Sequence, residues 1–473
     1  VHVGNNARGE GWVAMDGLDA ERVAARALFD RNRIDDARAA YLALIGRAPD
    51  DAAVLGDAGT FFFKTGAYAA AQSAFERAVA SAPESVRAHV NLGNAHFVRG
   101  AFEAARAAYA TALTLDPGDA DAHQGISYAL VRLDRDAEAA EHRERGFAGR
   151  SITTGSFRGA APPIDVLLLV AAAGGSIYAD ALLDDTIFRT TTLVADVDDP
   201  APPPLPPHHV VFNALADADR VPAALAAMER RFGDTAGVIN APERVLATTR
   251  AGNARRLASI AGVRTPQTVA IPRASLVRSG ATALIMRGFT FPLLLRSPGY
   301  QTGRHFVRVD APDDVAGALE ALPGDTLLAL EFVDVRDRAG AVRKYRMMIV
   351  DGALYPMHLA VAEHWKVHYV TARMDDAANR AEDERFLTDP AGVLGAPAMT
   401  ALAGVRDVLG LDYAGIDFGL DAAGRVVVFE ANATMIVLPP PVESIWDYRR
   451  APVARIVGAV QTMLRARAGF VTR

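Results

Sequence analysis

At 473 residues with 51% hydrophobic side chains, the chain is too long for one core, and about 100–200 residues per domain predicts roughly three units. A formal net charge of -6 offers no basic face for nucleic acid, and the absence of cysteine excludes disulfides, thiolate nucleophiles and Cys-ligated metals. No signal-type segment opens the chain and the longest candidate span, Ile164 to Ala173, falls short of the ~18 residues of a membrane span, so no membrane partner and a cytoplasmic location are expected.

The first third repeats. Pro49, Pro83 and Pro117 are separated by gaps of 34, and Ala37, Ala71 and Ala105 recur in the same frame, as do Tyr41, Phe75 and Tyr109. Gly59 and Gly93 are one period apart. The pattern resembles the tetratricopeptide repeat, a 34-residue helix-turn-helix unit with small residues where its helices touch. That resemblance implies an all-α solenoid over residues 18–150, with a degenerate fourth unit (Ala120 to about Gly146) as a polar cap. It also implies a concave face that takes a peptide or protein.

Ser151–Pro163 shows neither helical nor strand periodicity and ends in two prolines, so it is expected to be a linker. Residues 164–240 then read as a small parallel α/β domain. Its expected elements are a buried strand at Ile164–Val170, a Gly174-Gly175 turn leading into a helix, strands near Thr192–Ala195 and Val210–Phe212, and a helix at Asp219–Arg231. Neither G-x-G-x-x-G nor G-x-x-x-x-G-K-[ST] occurs, so dinucleotide and P-loop sites are not indicated.

The chemistry concentrates in residues 241–473. In Tyr413–Thr434 two apolar runs flank Asp421-Ala422-Ala423-Gly424, the pattern of a hairpin. If Leu420 pairs with Arg425, Asp417 lies opposite Val428, and Glu430 is its diagonal neighbour at roughly 7–8 Å between Cα atoms. Glu430 and Asn432 share that face, with Val427, Phe429 and Ala431 on the other. Two carboxylates and an amide oxygen suit Mg2+; a plain hairpin with a polar face is the alternative.

This segment resembles the metal-binding end of ATP-grasp ligases, in particular the glutathione synthetase and ribosomal-protein glutamate ligase branch. Asn240-Ala241-Pro242-Glu243, the helix through Arg250 and Asn253, and Gly262–Pro266 resemble that family's opening segment. The resemblance implies an α/β pre-ATP-grasp domain over 164–240 and an α+β ATP-grasp domain over 241–473. It assigns Mg to Asp417, Glu430 and Asn432. It makes the strand Phe291–Arg296 and the loop through Gly299, Gln301 and Gly303 a phosphate lid, with Arg296 in place of a family lysine and Gly252-Asn253 where another lysine is expected. Glu331 and Val333, at the end of an apolar strand, become adenine-binding candidates.

Val342–Val350 and Ala353–Leu359 flank Asp351-Gly352, a two-residue hairpin signal that sets Lys344 and Arg346 on one face. Arg346 matches a family arginine that contacts phosphate. Lys366 alternates with His364 and His368 against Trp365, Val367 and Tyr369, either as a basic catalytic face or as a solvated edge. Only Lys64, Lys344 and Lys366 are lysines among 50 basic residues. The implied function is an Mg-ATP-dependent carboxylate–amine ligase acting through an acyl-phosphate. An ATP-dependent phosphotransferase and a nucleotide-binding scaffold without turnover are the alternatives.

Overall fold

The computed structural model describes residues 17–197, 204–300, 303–367, 372–440 and 444–470. The chain divides into two compact units. One runs to Arg150 and includes Arg158–Pro162; the other comprises Ser151–Phe157 and Pro163–Arg473.

The first unit is four helix pairs: Gly17–Asp30 with Ile34–Arg47, Ala52–Lys64 with Tyr68–Ser81, Val86–Val98 with Phe102–Leu115, and Ala120–Arg132 with Asp136–Phe147. The punctuation repeats as well as the packing. Asp51, Ser85 and Asp119, 34 apart, each cap a helix by accepting from the backbone N–H three residues on. Asn32, Gly66, Gly100 and Asp134, also 34 apart, take positive φ in the turn within each pair. The fourth pair keeps that turn and a fully buried Ala139, so the unit folds as a helix pair although its sequence has lost the repeat's proline and aromatic.

Aromatic rings fill the space that glycines leave. A Cβ on Gly59 would stand 2.5 Å from the Phe75 ring; Tyr109 lies between Gly93 and Gly125, where added Cβ atoms would stand 2.5 and 2.4 Å away. The Tyr109 hydroxyl donates to Asn94 Oδ1 at 2.7 Å, which pins the ring.

Ser151–Pro163 is not the featureless linker its composition suggests. Ile152–Thr154 forms a strand, β1, and Arg158 returns to the first helix, donating to the Phe29 carbonyl at 3.0 Å with its guanidinium 4.4 Å from the Phe29 ring. A three-residue strand is too short to display a period of two.

In the second unit, β1 joins β2 (Ile164–Val170), β3 (Phe188–Val194) and β4 (Val210–Asn213) in the order β1-β3-β2-β4, with β2 parallel to β3 and β4. The helix expected after Gly174-Gly175 does not form; turns occupy this stretch, and the first helix of the unit is Pro222–Phe232.

The remaining strands are β5 (Val263–Arg264), β6 (Thr268–Pro272), β7 (Leu293–Arg296), β8 (Phe306–Val309), β9 (Thr326–Glu331), β10 (Val342–Val350), β11 (Ala353–Ala362), β12 (Tyr413–Leu420) and β13 (Val426–Asn432). They make an antiparallel sheet β6-β9-β7-β8 with its own apolar core, and a larger sheet β11-β10-β12-β13-β5. The larger sheet shares a core with the β2 sheet. Asn240, at φ 56°, ties them together by donating to the Tyr413 carbonyl at 2.7 Å and accepting from the Tyr413 N–H at 2.9 Å. Among the described residues no helix is long and apolar enough to cross a membrane.

The glycine–aromatic contacts predict a paired result. Gly93→Ala should destabilise the protein by about 1–3 kcal/mol, because the ring it meets is buried and held. Gly56→Ala, in the same solenoid with open space around it, should stabilise by about 0.5–1 kcal/mol. Denaturation followed by far-UV circular dichroism checks both.

Candidate functional site

A cavity of about 670 Å³ opens between the two sheets of the C-terminal half. The smaller sheet contributes Leu294 and Arg296 from β7 and Leu330 and Glu331 from β9; the larger contributes Lys344 and Arg346 from β10, Asp417 from β12 and Glu430 from β13. Alternation along each strand turns these polar groups inward together.

The hairpin register differs from the expected one. Leu420 pairs with Val426 rather than Arg425, and a bulge beside Asp417 sets it directly opposite Glu430. The extra residue is Phe429, which leaves the apolar face assigned to it and lines the cavity, 36% exposed. The two carboxylates are therefore closer in register than a regular ladder would make them.

Facing carboxylates repel unless cations compensate, and cations surround both. Arg346 grips Asp417 through two hydrogen bonds of 2.6 and 2.9 Å, and Lys344 donates a third at 3.0 Å. Burial alone would raise the Asp417 carboxyl, but Arg346 and Lys344 outweigh it and hold it far below the usual range. Arg250 donates to Glu430 at 2.7 Å and to Asp219 at 2.9 Å. Burial opposes ionisation of Glu430 too, yet Arg250 and Arg296 keep its pKa below normal.

Arg296 stands apart. Its Nη2 donates to the Tyr300 carbonyl at 2.5 Å and its Nε is enclosed without a partner. Among the described residues it makes no ion pair, while part of its surface stays open to the cavity. Burial and then the like charge of Arg250 lower its pKa to about 10. Lys366, its Nζ donating to the Phe306 carbonyl at 3.1 Å, is lowered by burial and by Arg296.

Of the residues singled out in the sequence, Arg296, Gly303, Glu331, Val333, Lys344, Arg346, Lys366, Asp417 and Glu430 line this one cavity. Three are elsewhere or not described. Gly299 lies outside the wall, its carbonyl 3.4 Å from Arg220 Nη1. Gln301 lies outside the described residues. Asn432 borders a smaller adjoining cavity of about 40 Å³ together with Arg250 and Asn253, and its Oδ1 accepts from the Thr434 N–H and hydroxyl.

Lys366 reaches the cavity by a route other than the one expected. β11 ends at Ala362, so His364–Val367 is not an alternating strand, and Trp365, Lys366 and Val367 all line the same wall; His368 and Tyr369 lie outside the described residues. Glu331 is occupied through its side chain, which accepts from Arg264 at 2.7 Å and from the Gln267 N–H at 3.1 Å. Sequence reading gave Arg250 no role at the site, and it missed His358, which sits opposite Arg346 and is kept neutral well below its ordinary pKa by burial and then Arg346. Arg250 stands in the segment read as the family's opening one but without a site role, and His358 stands in no recognisable motif; both gain their place through β12 and β13, distant in sequence.

Two carboxylates and an amide suit a small hard cation that completes its shell with water and phosphate oxygens. Asp417, Glu430 and Asn432 would hold it, on exchanging their present contacts with Arg346, Lys344, Arg250 and Thr434. Among the described residues no group of three or more His, Cys, Asp and Glu side chains forms a metal cluster, so such a cation would rely on ligand oxygens.

Comparison with known proteins bears on the first unit. Residues 22–71 and 57–120 match the family model of the tetratricopeptide repeat. The N-terminal unit carries tetratricopeptide repeats. Among solved structures the chain is similar to a MamA RS-1 ArsTM double mutant, at 25% identity over 28% of this chain and 74% of that one, with a TM-score of 0.26. It is also similar to MamA 41-end from Desulfovibrio magneticus RS-1, at 26% identity over 26% and 71%, with a TM-score of 0.25. No curated protein matches the chain. Repeats of this kind serve as protein-interaction surfaces, and the unit is a protein-interaction domain of that type.

The buried ion pairs set a stability test. Asp417→Asn leaves Arg346 and Lys344 uncompensated and should cost about 3–5 kcal/mol in the ligand-free protein. Because the folded Asp417 pKa is depressed, its contribution is present above the unfolded value of about 3.9 and is lost as pH falls below it. Chemical denaturation across an acid pH series should therefore show a shallower acid loss in the variant than in the wild type.

Proposed function

We propose that the C-terminal unit binds Mg-ATP between its two sheets and joins a carboxylate to an amine, while the tetratricopeptide repeats recruit a peptide or protein substrate or partner. The observation that carries this reading is Arg296, which makes no direct ion pair among the described residues, is offset by Glu430 only at longer range, and shares with the Asp417–Glu430 pair a cavity large enough for a small-molecule ligand. A buried charge is costly unless something pairs with it, and a phosphate oxygen supplies the pair. The order of the family-like segments along the chain and the convergence of nine of their residues on one cavity support the same reading.

In this mechanism an oxygen of the substrate carboxylate attacks the γ-phosphorus of ATP, the bond to the β-bridging oxygen breaks, and ADP leaves with its electron pair. The amine then attacks the acyl carbon, the carbon–oxygen bond to phosphate breaks, and the proton shed by nitrogen leaves with the phosphate. Arg296 and Lys366 approach from the smaller-sheet side, Lys344 and Arg346 from the larger. Their fixed charges stabilise the transferring phosphoryl group, where electrostatics and positioning carry most of the rate. Mg2+ held by Asp417, Glu430 and Asn432 would supply further charge neutralisation.

A second reading is favoured by the grip of Arg346 and Lys344 on Asp417. If nucleotide leaves that grip intact, the unit senses ATP without turning it over and serves the repeats as a scaffold switch. Phosphoryl transfer that stops at a phosphorylated product is a third outcome of the same site.

Arg296→Gln separates a ligand-binding role from a structural one. Calorimetric titration with Mg-ATP should show affinity weakened by about tenfold or more. Thermal unfolding should show stability unchanged or raised, because the variant removes a buried cation whose charged form the folded state disfavours. Unchanged affinity would contradict the assignment.

A further inference from the structure

The apolar lining of the cavity falls in two groups. One is on the smaller-sheet side, with Leu294, Phe306, Leu330 and Phe332. The other forms a second end, with Met357, Met435, Leu438, Trp446 and Val453, which adjoins Arg346 through Met357 and His358. We propose that this end takes the apolar body of a monocarboxylic acid substrate whose carboxylate lies toward Arg346 and Lys344. The proposal rests on the ATP-dependent ligase reading and names the substrate class for it.

Local strand geometry builds the pouch. The β10–β11 ladder carries a bulge beside Arg346, and Met357 is the residue it leaves out of register, next to His358 opposite Arg346. A methionine at the bulge thus adjoins the cation that would meet the reacting carboxylate. Met435 is seated by Gly415, where a Cβ would come within 2.3 Å of the Met435 side chain. Any larger residue at 415 would drive Met435 out of its seat.

The charge at this end is already compensated. Arg449 lines the pouch, stacked 4.9 Å from the Trp446 ring, and its Nε donates to the fully buried Asp383 at 2.7 Å. His358 is neutral. Arg346 and Lys344 are released to a substrate carboxylate when Asp417 takes the metal, whereas Arg449 stays paired with Asp383. A second carboxylate would therefore give up its hydration here without gaining a free cation, which disfavours dicarboxylates and acidic amino acids.

The apolar wall is also open to water, as an unfilled ligand surface should be. Ile436 and Leu438, two of the exposed large hydrophobic side chains of the described surface, line this cavity at 45 and 50% exposure. Exposed apolar groups gathered in one concavity mark a binding surface, unlike the scattered ones any protein shows.

The test uses the full chain saturated with Mg2+ and a non-hydrolysable ATP analogue, titrated calorimetrically with hexanoate, 4-phenylbutyrate and glutarate. The monocarboxylates should bind at least about tenfold more tightly than glutarate. Leu438→Glu, a change at an exposed position, should erase that preference, and analogue binding measured first in the same sample reports an intact fold. Glutarate binding as tightly as hexanoate, a preference that survives Leu438→Glu, or no carboxylate binding to a nucleotide-loaded protein would each overturn the proposal. A wild-type protein that binds no nucleotide overturns the ATP reading itself, and this proposal with it.

Discussion

Arg346 holds Asp417 from the neighbouring strand with two parallel hydrogen bonds, and Lys344, two residues along the same face, adds a third. The contact fixes the register of β10 on β12 and at the same time sets the charge of the cavity floor. Bulges flank it on both sides, one beside Arg346 in the ladder to β11 and one beside Asp417 in the ladder to β13. The first releases Met357 toward the apolar end; the second turns Phe429 into the cavity and brings Glu430 level with Asp417. The shape of the pocket and its electrostatics therefore share one origin in the sheet.

Compensation then spreads outward. Glu430 recruits Arg250, which in turn holds Asp219 and approaches Asp217 at 3.7 Å, so the α/β sheet and the larger sheet are joined by charge as well as by their common core. Arg296 is left out of that pairing. It feels Glu430 only at longer range, and under the proposed ATP reading it is where an incoming anion gains most. The repeats follow a different physics, in which small residues admit aromatic rings and each pair is capped and turned by residues one period apart.

Legibility in the sequence tracked the locality of the cause. The 34-residue period announced the solenoid because its packing, caps and turns repeat within the sequence itself, and the turn at Asp134 carries the period into the fourth pair even where its proline and aromatic are lost. Asp351-Gly352 predicted its hairpin because both residues adopt the positive φ that the turn requires, 46° and 76°. The carboxylate pair was foreseen but its register was not, since a bulge at Phe429 arises from tertiary packing and leaves no mark in an alternating pattern. β1 and the missing helix after Gly175 failed for the same reason, being decided by pairing with β3 and by turns closing on residues 216–217. The lysines were a better signal than their local pattern: the two outside the solenoid, Lys344 and Lys366, both reach the cavity, though Lys366 does so from a bend and not from a strand.

The most direct test of the central claim is an experimental structure of the full chain with Mg2+ and a non-hydrolysable ATP analogue. The account predicts a triphosphate between the two sheets with an oxygen in hydrogen-bond contact with Arg296, and a cation reached by Asp417 and Glu430. A triphosphate bound elsewhere, or a cavity that stays empty at saturating analogue with Arg296 still unpaired, would contradict it.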